Sequence, residues 1–407
     1  MSMKKSHKYL LIVSIIITIF EIIVAYIGEI HIRQPWGDEI RLYASVLNFG
    51  DNFSLDLLKH YRQMSTPLPF IIYALWGKLF GFELFTLRIL SILIAISTYL
   101  LFFKILYFET DNIKLSVVST LFLVVNPYMV GLSIFVFTDM PTIFFLLLAY
   151  YAMRKQQMYL FIFSLACSIL CRQYILYAIP AFLIYFGYKY LIEKDKIDVK
   201  WISATLASLI PYGLLVILWG GTSPDNEYRA MYLTDGFFYH IDNFYLYTAL
   251  LFIYLLPLYF FLSDKFYSSL KIILPAALCS LGYYYFPISP SKYSIDIGVY
   301  TVGLFHKVLV FLQVPTGIIE IIFFASTLLG LPILFTILNV SIKKISEKNF
   351  DSELLLSLLI LFFFVVMPFS YLGWEKYFVQ VLPFVLLLFT IYLNQKSANH
   401  RLHSQTD

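Results

Sequence analysis

Charge is what this chain of 407 residues has least of. Lys, Arg, Asp and Glu make up 13% of it, against about 25% in an ordinary soluble domain. That shortage excludes a soluble globular enzyme and a charged disordered chain. A net charge of only +4 gives no basis for nucleic-acid binding. Cysteine is sparse too. Cys167 and Cys171 stand four apart and Cys279 alone, without the spacing or company of a metal site or a disulfide framework. The apolar stretches do not alternate with polar residues, which excludes barrel strands. There is no repeat of fixed period and no low-complexity run.

What is present is continuous hydrophobicity. Apolar residues form 60% of the chain and mean hydropathy is +0.79. Runs long enough to cross about 30 Å of hydrocarbon recur throughout, and in lipid such runs must be helices. The expected fold is therefore an all-α polytopic membrane protein. Its spans are expected near 9–30, 84–107, 115–133, 140–153, 158–171, 174–190, 201–219, 244–262, 271–286, 317–340, 352–370 and 378–394. The first run follows Lys4, Lys5 and Lys8 as a signal peptide would. It is longer than such a segment's apolar core and lacks a small-residue cleavage site, so a retained helix is expected. With the N-terminus inside, about 18 of the 29 basic residues fall on the cytoplasmic side, as the positive-inside rule requires. Aromatic residues, at 19%, suit the two membrane interfaces.

This topology gives short cytoplasmic connections and longer outer ones, at about 31–83, 220–243 and 287–316. The outer segments carry Asp38, Glu39, Asp51, Asp56, Asp139, Asp225, Glu227, Asp235, Asp242, Asp296 and Glu375. Short surface helices are expected at 54–60 and 69–80, where apolar and polar residues mix at helical spacing. Long outer loops over a bundle are where a site would be built. One domain, 1–407, is the expected organisation.

Asp38-Glu39 is the most informative pair. A hydroxyl acceptor must lose a proton as it attacks an anomeric carbon, and a carboxylate within reach can take it. The plainer reading is a solvated acidic pair at the start of the helix 40–49. Arg88, after the turn Ser65-Thr66-Pro67-Leu68-Pro69, either snorkels or meets an anion. Arg172, in Cys171-Arg172-Gln173-Tyr174, can grip a phosphate or pair with Asp139 of Phe137-Thr138-Asp139. Glu375-Lys376-Tyr377-Phe378 beside Trp374 is either an interface anchor or part of the site. His240 and His306 are outer histidines suited to a departing phosphate or to plain hydrogen bonding. Glu21 and Lys104 lie within spans and should face the bundle interior, with each other as the expected partners. Asn52-Phe53-Ser54 fits a glycosylation acceptor. No His/Asp/Glu cluster demands a metal.

Taken in order, these motifs resemble the GT-C superfamily of membrane glycosyltransferases. Within it they are similar to the alpha-1,2-glucosyltransferase family that adds the terminal glucose to dolichol-linked oligosaccharide. Gly37-Asp38-Glu39-Ile40 matches that family's Met-Asp-Glu-Ile. Ser65-Thr66-Pro67-Leu68-Pro69 with Tyr73 and then Leu87-Arg88 resembles its Thr-Thr-Pro-Pro-Gly-Leu-Tyr turn and Leu-Arg pair. Phe137-Thr138-Asp139 and Cys171-Arg172-Gln173 resemble its Tyr-Thr-Asp and Phe-Arg-Gln. Trp219-Gly220-Gly221 with Asp225, His240 with Phe244-Tyr245, and Glu375-Lys376-Tyr377-Phe378 with Leu382-Pro383 continue the series. The departures are Arg41-Leu42 where the family has a histidine, Tyr174-Ile175 for its Thr-Asn, and Lys376 for its arginine.

The resemblance implies a GT-C-like bundle of about twelve spans and an inverting hexosyltransferase. It implies a polyprenyl-phosphate-linked sugar, with glucose expected, as donor, and a glycan or lipid-linked acceptor. Asp38 and Glu39 would be the catalytic carboxylates. Arg88, Arg172, Lys376 and His240 would bind the donor phosphate, with Asp139, Gln173 and Glu375 in support. The resemblance singles out no cofactor and leaves a divalent cation open. The expected setting is a bacterial plasma membrane, or the endoplasmic reticulum membrane in a eukaryote, with the site on the non-cytoplasmic face. A flippase or transporter of lipid-linked glycans, or a polymerase of them, is the rival reading.

Overall fold

A computed structural model of the protein describes residues 3–225, 227, 230, 238–267 and 269–403. Asp235, one of the expected outer acids, lies outside the described residues. Among these, every regular element is a helix. All twelve segments expected to span a membrane are helical. Six helices are long and apolar enough to cross one, or up to eight if each of two bent pairs counts as a single span. Others are apolar but shorter, such as Met158–Cys171. The protein is a multi-pass membrane protein.

The bends have local causes. Ile113–Val124 and Pro127–Ile134 meet at 69°. Pro127 cannot donate the helical hydrogen bond, and Asn126 caps the second helix by accepting from the N–H groups of Tyr128 (3.0 Å) and Met129 (3.3 Å). Ile241–Ile253 and Leu256–Tyr267 meet at 100°, with Pro257 in the first turn of the second.

By internal packing the chain forms two compact units. The first comprises Met1–Ile179 and Asp195–Thr234. In it Leu84–Thr110 packs on Asp139–Arg154, which pairs with Met158–Cys171 across a three-residue turn. Met3–Ile27 packs on Leu84–Thr110 and Pro127–Ile134. The expected outer segment 31–83 folds into Asp38–Asp51, Leu55–His60 and Leu68–Phe80. Ser54 caps the second of these by accepting from Leu57 N–H at 3.1 Å.

The second unit comprises Pro180–Lys194 and Asp235–Asp407. Its spine is Thr316–Ser346, flanked by Ile241–Ile253, Leu270–Ser280 and Ser352–Val366. Gly330 lets Ile241–Ile253 approach closely, because a Cβ there would stand 2.1 Å from the Thr248 carbonyl oxygen.

Candidate active site

The adjacent acids are separated by helix geometry. Gly37, at φ +60°, turns the chain into Asp38–Asp51 in a conformation that L side chains rarely adopt. Asp38 and Glu39 then occupy the first turn, about 100° apart around the axis. Glu39 turns inward and is fully buried. Its Oε1 accepts from Arg88 Nε at 3.0 Å and from Val136 N–H at 2.9 Å. Its Oε2 accepts from Arg88 Nη2 at 2.5 Å and from Trp36 N–H at 3.4 Å.

Arg88 is fully buried as well. Its remaining donors go to the carbonyls of Ile30 (2.8 Å), Arg33 (2.7 Å) and Gln34 (3.3 Å). A guanidinium has five N–H groups, and all five are directed at protein acceptors. As folded, Arg88 therefore offers no donor to a phosphate. It fastens residues 30–39 onto Leu84–Thr110, with Phe135 5.3 Å from its guanidinium carbon. Of the two roles expected for Glu39, burial and saturation fit positioning and not proton transfer.

Asp38 faces the other way. Its side chain is 31% exposed and accepts from Arg41 Nη2 at 3.0 Å. It is the solvent-accessible carboxylate of the pair.

A second polar group forms where Asp139, Arg172 and Tyr174 meet. Asp139 is buried and accepts from Arg172 Nη2 at 3.0 Å and from the Tyr174 hydroxyl at 2.8 Å. The Arg172 side chain is 12% exposed, and its guanidinium lies 5.4 Å from the Tyr174 ring. The ion pair weighed for Asp139 in the sequence is formed.

The turn before Leu68–Phe80 ties this group to Asp38–Asp51. Gln63 Nε2 donates to the Arg41 carbonyl (3.0 Å) and to Ser45 Oγ (2.9 Å). One residue on, the Met64 carbonyl accepts from Gln173 Nε2 at 2.5 Å. Thr66 Oγ1 donates to the Ile169 carbonyl at 3.0 Å, and Ser223 Oγ to the Gln63 carbonyl at 3.3 Å. Gln63 and Ser45 were not singled out in the sequence. Their partners are mostly backbone carbonyls, which leave no mark on residue type. Tyr73, also buried, shares a 2.7 Å hydrogen bond with Ser91, and burial raises its hydroxyl well above the ordinary range.

His240, Glu375 and Lys376 belong to the second unit. Glu375 is buried, accepts from the Tyr254 hydroxyl and from Phe305 N–H (2.9 Å), and its own N–H donates to the Val302 carbonyl (2.9 Å). Burial pushes its carboxyl up to about 7. Gly303 is required beside it, since a Cβ there would lie 2.2 Å from Glu375 Cβ. Trp374 Nε1 donates to Ser294 Oγ at 3.0 Å, and Lys376 Nζ sits 4.1 Å from the Trp374 ring centroid. His240 N–H donates to the Pro368 carbonyl at 2.8 Å, and its ring packs on Phe238. Burial lowers the pKa of His306.

One expected pairing is not made. Glu21 is buried in the first span, but its partner is Ser133 Oγ at 2.8 Å. Lys104 instead places its ammonium 4.8 Å from the Tyr151 ring centroid. The reason is helix packing: Met3–Ile27 presents Glu21 to Pro127–Ile134, and Lys104 emerges on an exposed face. Among the described residues, no three His, Cys, Asp or Glu side chains converge as a cation site.

No protein-family model matches the chain, and no curated protein sequence matches it. Among solved structures, the backbone is similar to ArnT from Cupriavidus metallidurans in the apo state, with a TM-score of 0.40 and 13% sequence identity. That similarity covers 93% of this chain and 76% of the other.

Proposed function

We propose that the protein is an inverting glycosyltransferase. It moves a hexose, with glucose the expected sugar, from a polyprenyl-phosphate carrier to a glycan or lipid-linked acceptor on the non-cytoplasmic face. The observation that carries this reading is the division of labour at Asp38-Glu39. A reachable carboxylate stands on a helix turn whose neighbouring acid is locked by a buried arginine. General-base catalysis asks for that combination of access and fixed geometry.

In the proposed step the acceptor oxygen attacks the anomeric carbon from the side opposite the phosphate. Asp38 takes the hydroxyl proton as the new glycosidic bond forms. The bond between the anomeric carbon and the phosphate oxygen breaks, and the carrier leaves as its phosphate. Glu39 and Arg88 hold Asp38 in place. Arg172 is the cation of the first unit suited to the growing phosphate charge, with Asp139 and Tyr174 setting its orientation and Gln173 fixing the turn beside it. Roles for Lys376 and His240 at the phosphate, and for Glu375 in support, rest on the motif resemblance.

Purified protein incubated with radiolabelled polyprenyl-phosphate hexoses and an acceptor lipid fraction tests the proposal. Transfer is expected from a monosaccharide donor, with loss of transfer in folded Asp38→Asn. Near-normal transfer by that variant overturns the assignment of the base. Movement of lipid-linked glycan across liposomes without bond formation supports the transporter reading instead.

A further inference from the structure

At the far end of Leu84–Thr110 from Arg88, basic and aromatic side chains gather on one exposed face of the first unit. Lys104 and Phe108 are four apart, hence on the same helix face, and both are exposed. Lys155, just past the end of Asp139–Arg154, reaches back over Phe108 with its ammonium 3.8 Å from the ring centroid. Both ammoniums address Tyr151, Lys104 at 4.8 Å and Lys155 at 5.9 Å. Phe108 and Tyr151 meet edge to face with centroids 6.5 Å apart. Two like charges are thus held against one pair of rings.

Nearby Arg154 is already neutralised. It donates to Glu109 through Nε (2.7 Å) and Nη2 (3.2 Å), and the Tyr150 hydroxyl donates to the same carboxylate at 3.0 Å. Among the described residues no carboxylate stands within ion-pair distance of Lys104 or Lys155. Asp111 and Lys114, beyond the helix end, carry opposite charges and add nothing to the net charge there. The cluster therefore keeps two uncompensated positive charges.

Its position says which anion fits. Lys104 lies inside a membrane-crossing helix, six residues before its end, or about 9 Å along the axis. A lysine there runs its stem along apolar surface and lifts its charge to headgroup level. Ring faces beneath such cations are amphipathic, as the membrane interface requires. We infer that Lys104 and Lys155, over Phe108 and Tyr151, form a binding site for the head group of an anionic phospholipid. The phosphodiester sits between the two ammoniums, and the glycerol and acyl chains run down the exposed apolar side of Leu84–Thr110. This site does not depend on the glycosyltransferase reading.

Its test uses full-length protein in nanodiscs of phosphatidylcholine with a minor fraction of phosphatidylglycerol. Extraction and native mass spectrometry then count the retained lipids. Wild type is expected to retain phosphatidylglycerol preferentially. Each interfacial lysine contributes about fivefold, so Lys104→Ala with Lys155→Ala should lower retention about 30-fold. The arginine double variant should restore it. Lys196→Ala with Lys200→Ala, which removes the same charge from an exposed helix start elsewhere, should leave retention near wild type. Equal losses in both alanine pairs would overturn the site in favour of bulk charge. Displacement of the lipid by millimolar inorganic phosphate would also overturn it, in favour of a simple anion site.

Discussion

Arg88 and Glu39, 49 residues apart in sequence, form a two-pronged ion pair with both side chains fully excluded from solvent. The pair closes the segment 30–39 onto the helix Leu84–Thr110 and sets the direction in which Asp38 points. Breaking a buried pair from one side leaves an uncompensated charge, which costs about 3–5 kcal/mol. Arg88→Ala and Glu39→Gln are therefore expected to lower thermal stability strongly, with activity lost together with the fold. Thermal unfolding in detergent measures this.

Asp38→Asn should behave oppositely. Its partner Arg41 is an exposed cation whose pairing contributes at most about 1 kcal/mol, so unfolding should barely change. Transfer should fall at least about 100-fold, the usual contribution of a general base. A variant that unfolds like wild type yet transfers no sugar separates chemistry from scaffold.

Arg172→Lys keeps the positive charge but replaces a planar fork with a point charge. If Arg172 serves the donor phosphate, the KM for the polyprenyl-phosphate sugar should rise several-fold with little loss of stability. If the arginine acts only as the counterion of Asp139, stability should fall and the KM should stay. Titrating donor concentration alongside a melting curve distinguishes the two.

Glu375 predicts a pH dependence. Burial raises its carboxyl from 4.5 to about 7, so the folded protein holds a proton that the unfolded chain has released. The stabilisation is complete below about pH 4.5 and is lost as pH rises to about 7, at about 1.4 kcal/mol per unit. Glu375→Gln should flatten this part of the stability profile. The check is a series of melting curves from pH 4.5 to 8.

Gly330→Ala tests the packing of the second unit. The added methyl meets the backbone carbonyl of Thr248, which cannot swing aside as a side chain could. Overpacking of this kind costs about 1–3 kcal/mol, readable as a lowered melting temperature.

The helical membrane character, the twelve apolar segments and the short helices within residues 31–83 were all legible in the sequence. Hydrophobic runs of fixed length have one solution in lipid, so composition alone dictates them. The Asp139–Arg172 contact was also legible, because a charge beside the bilayer needs a partner and few stand near. Which acid of Asp38-Glu39 faces outward was not. Adjacent residues on a helix point in different directions, and only the helix's rotation, fixed by Arg88 and by backbone N–H groups from residues 36 and 136, decides which one is buried. The same holds for Glu21, whose partner is a serine in place of the lysine that charge alone suggested. Sequence determines what must avoid water; tertiary packing decides which polar group each buried charge meets.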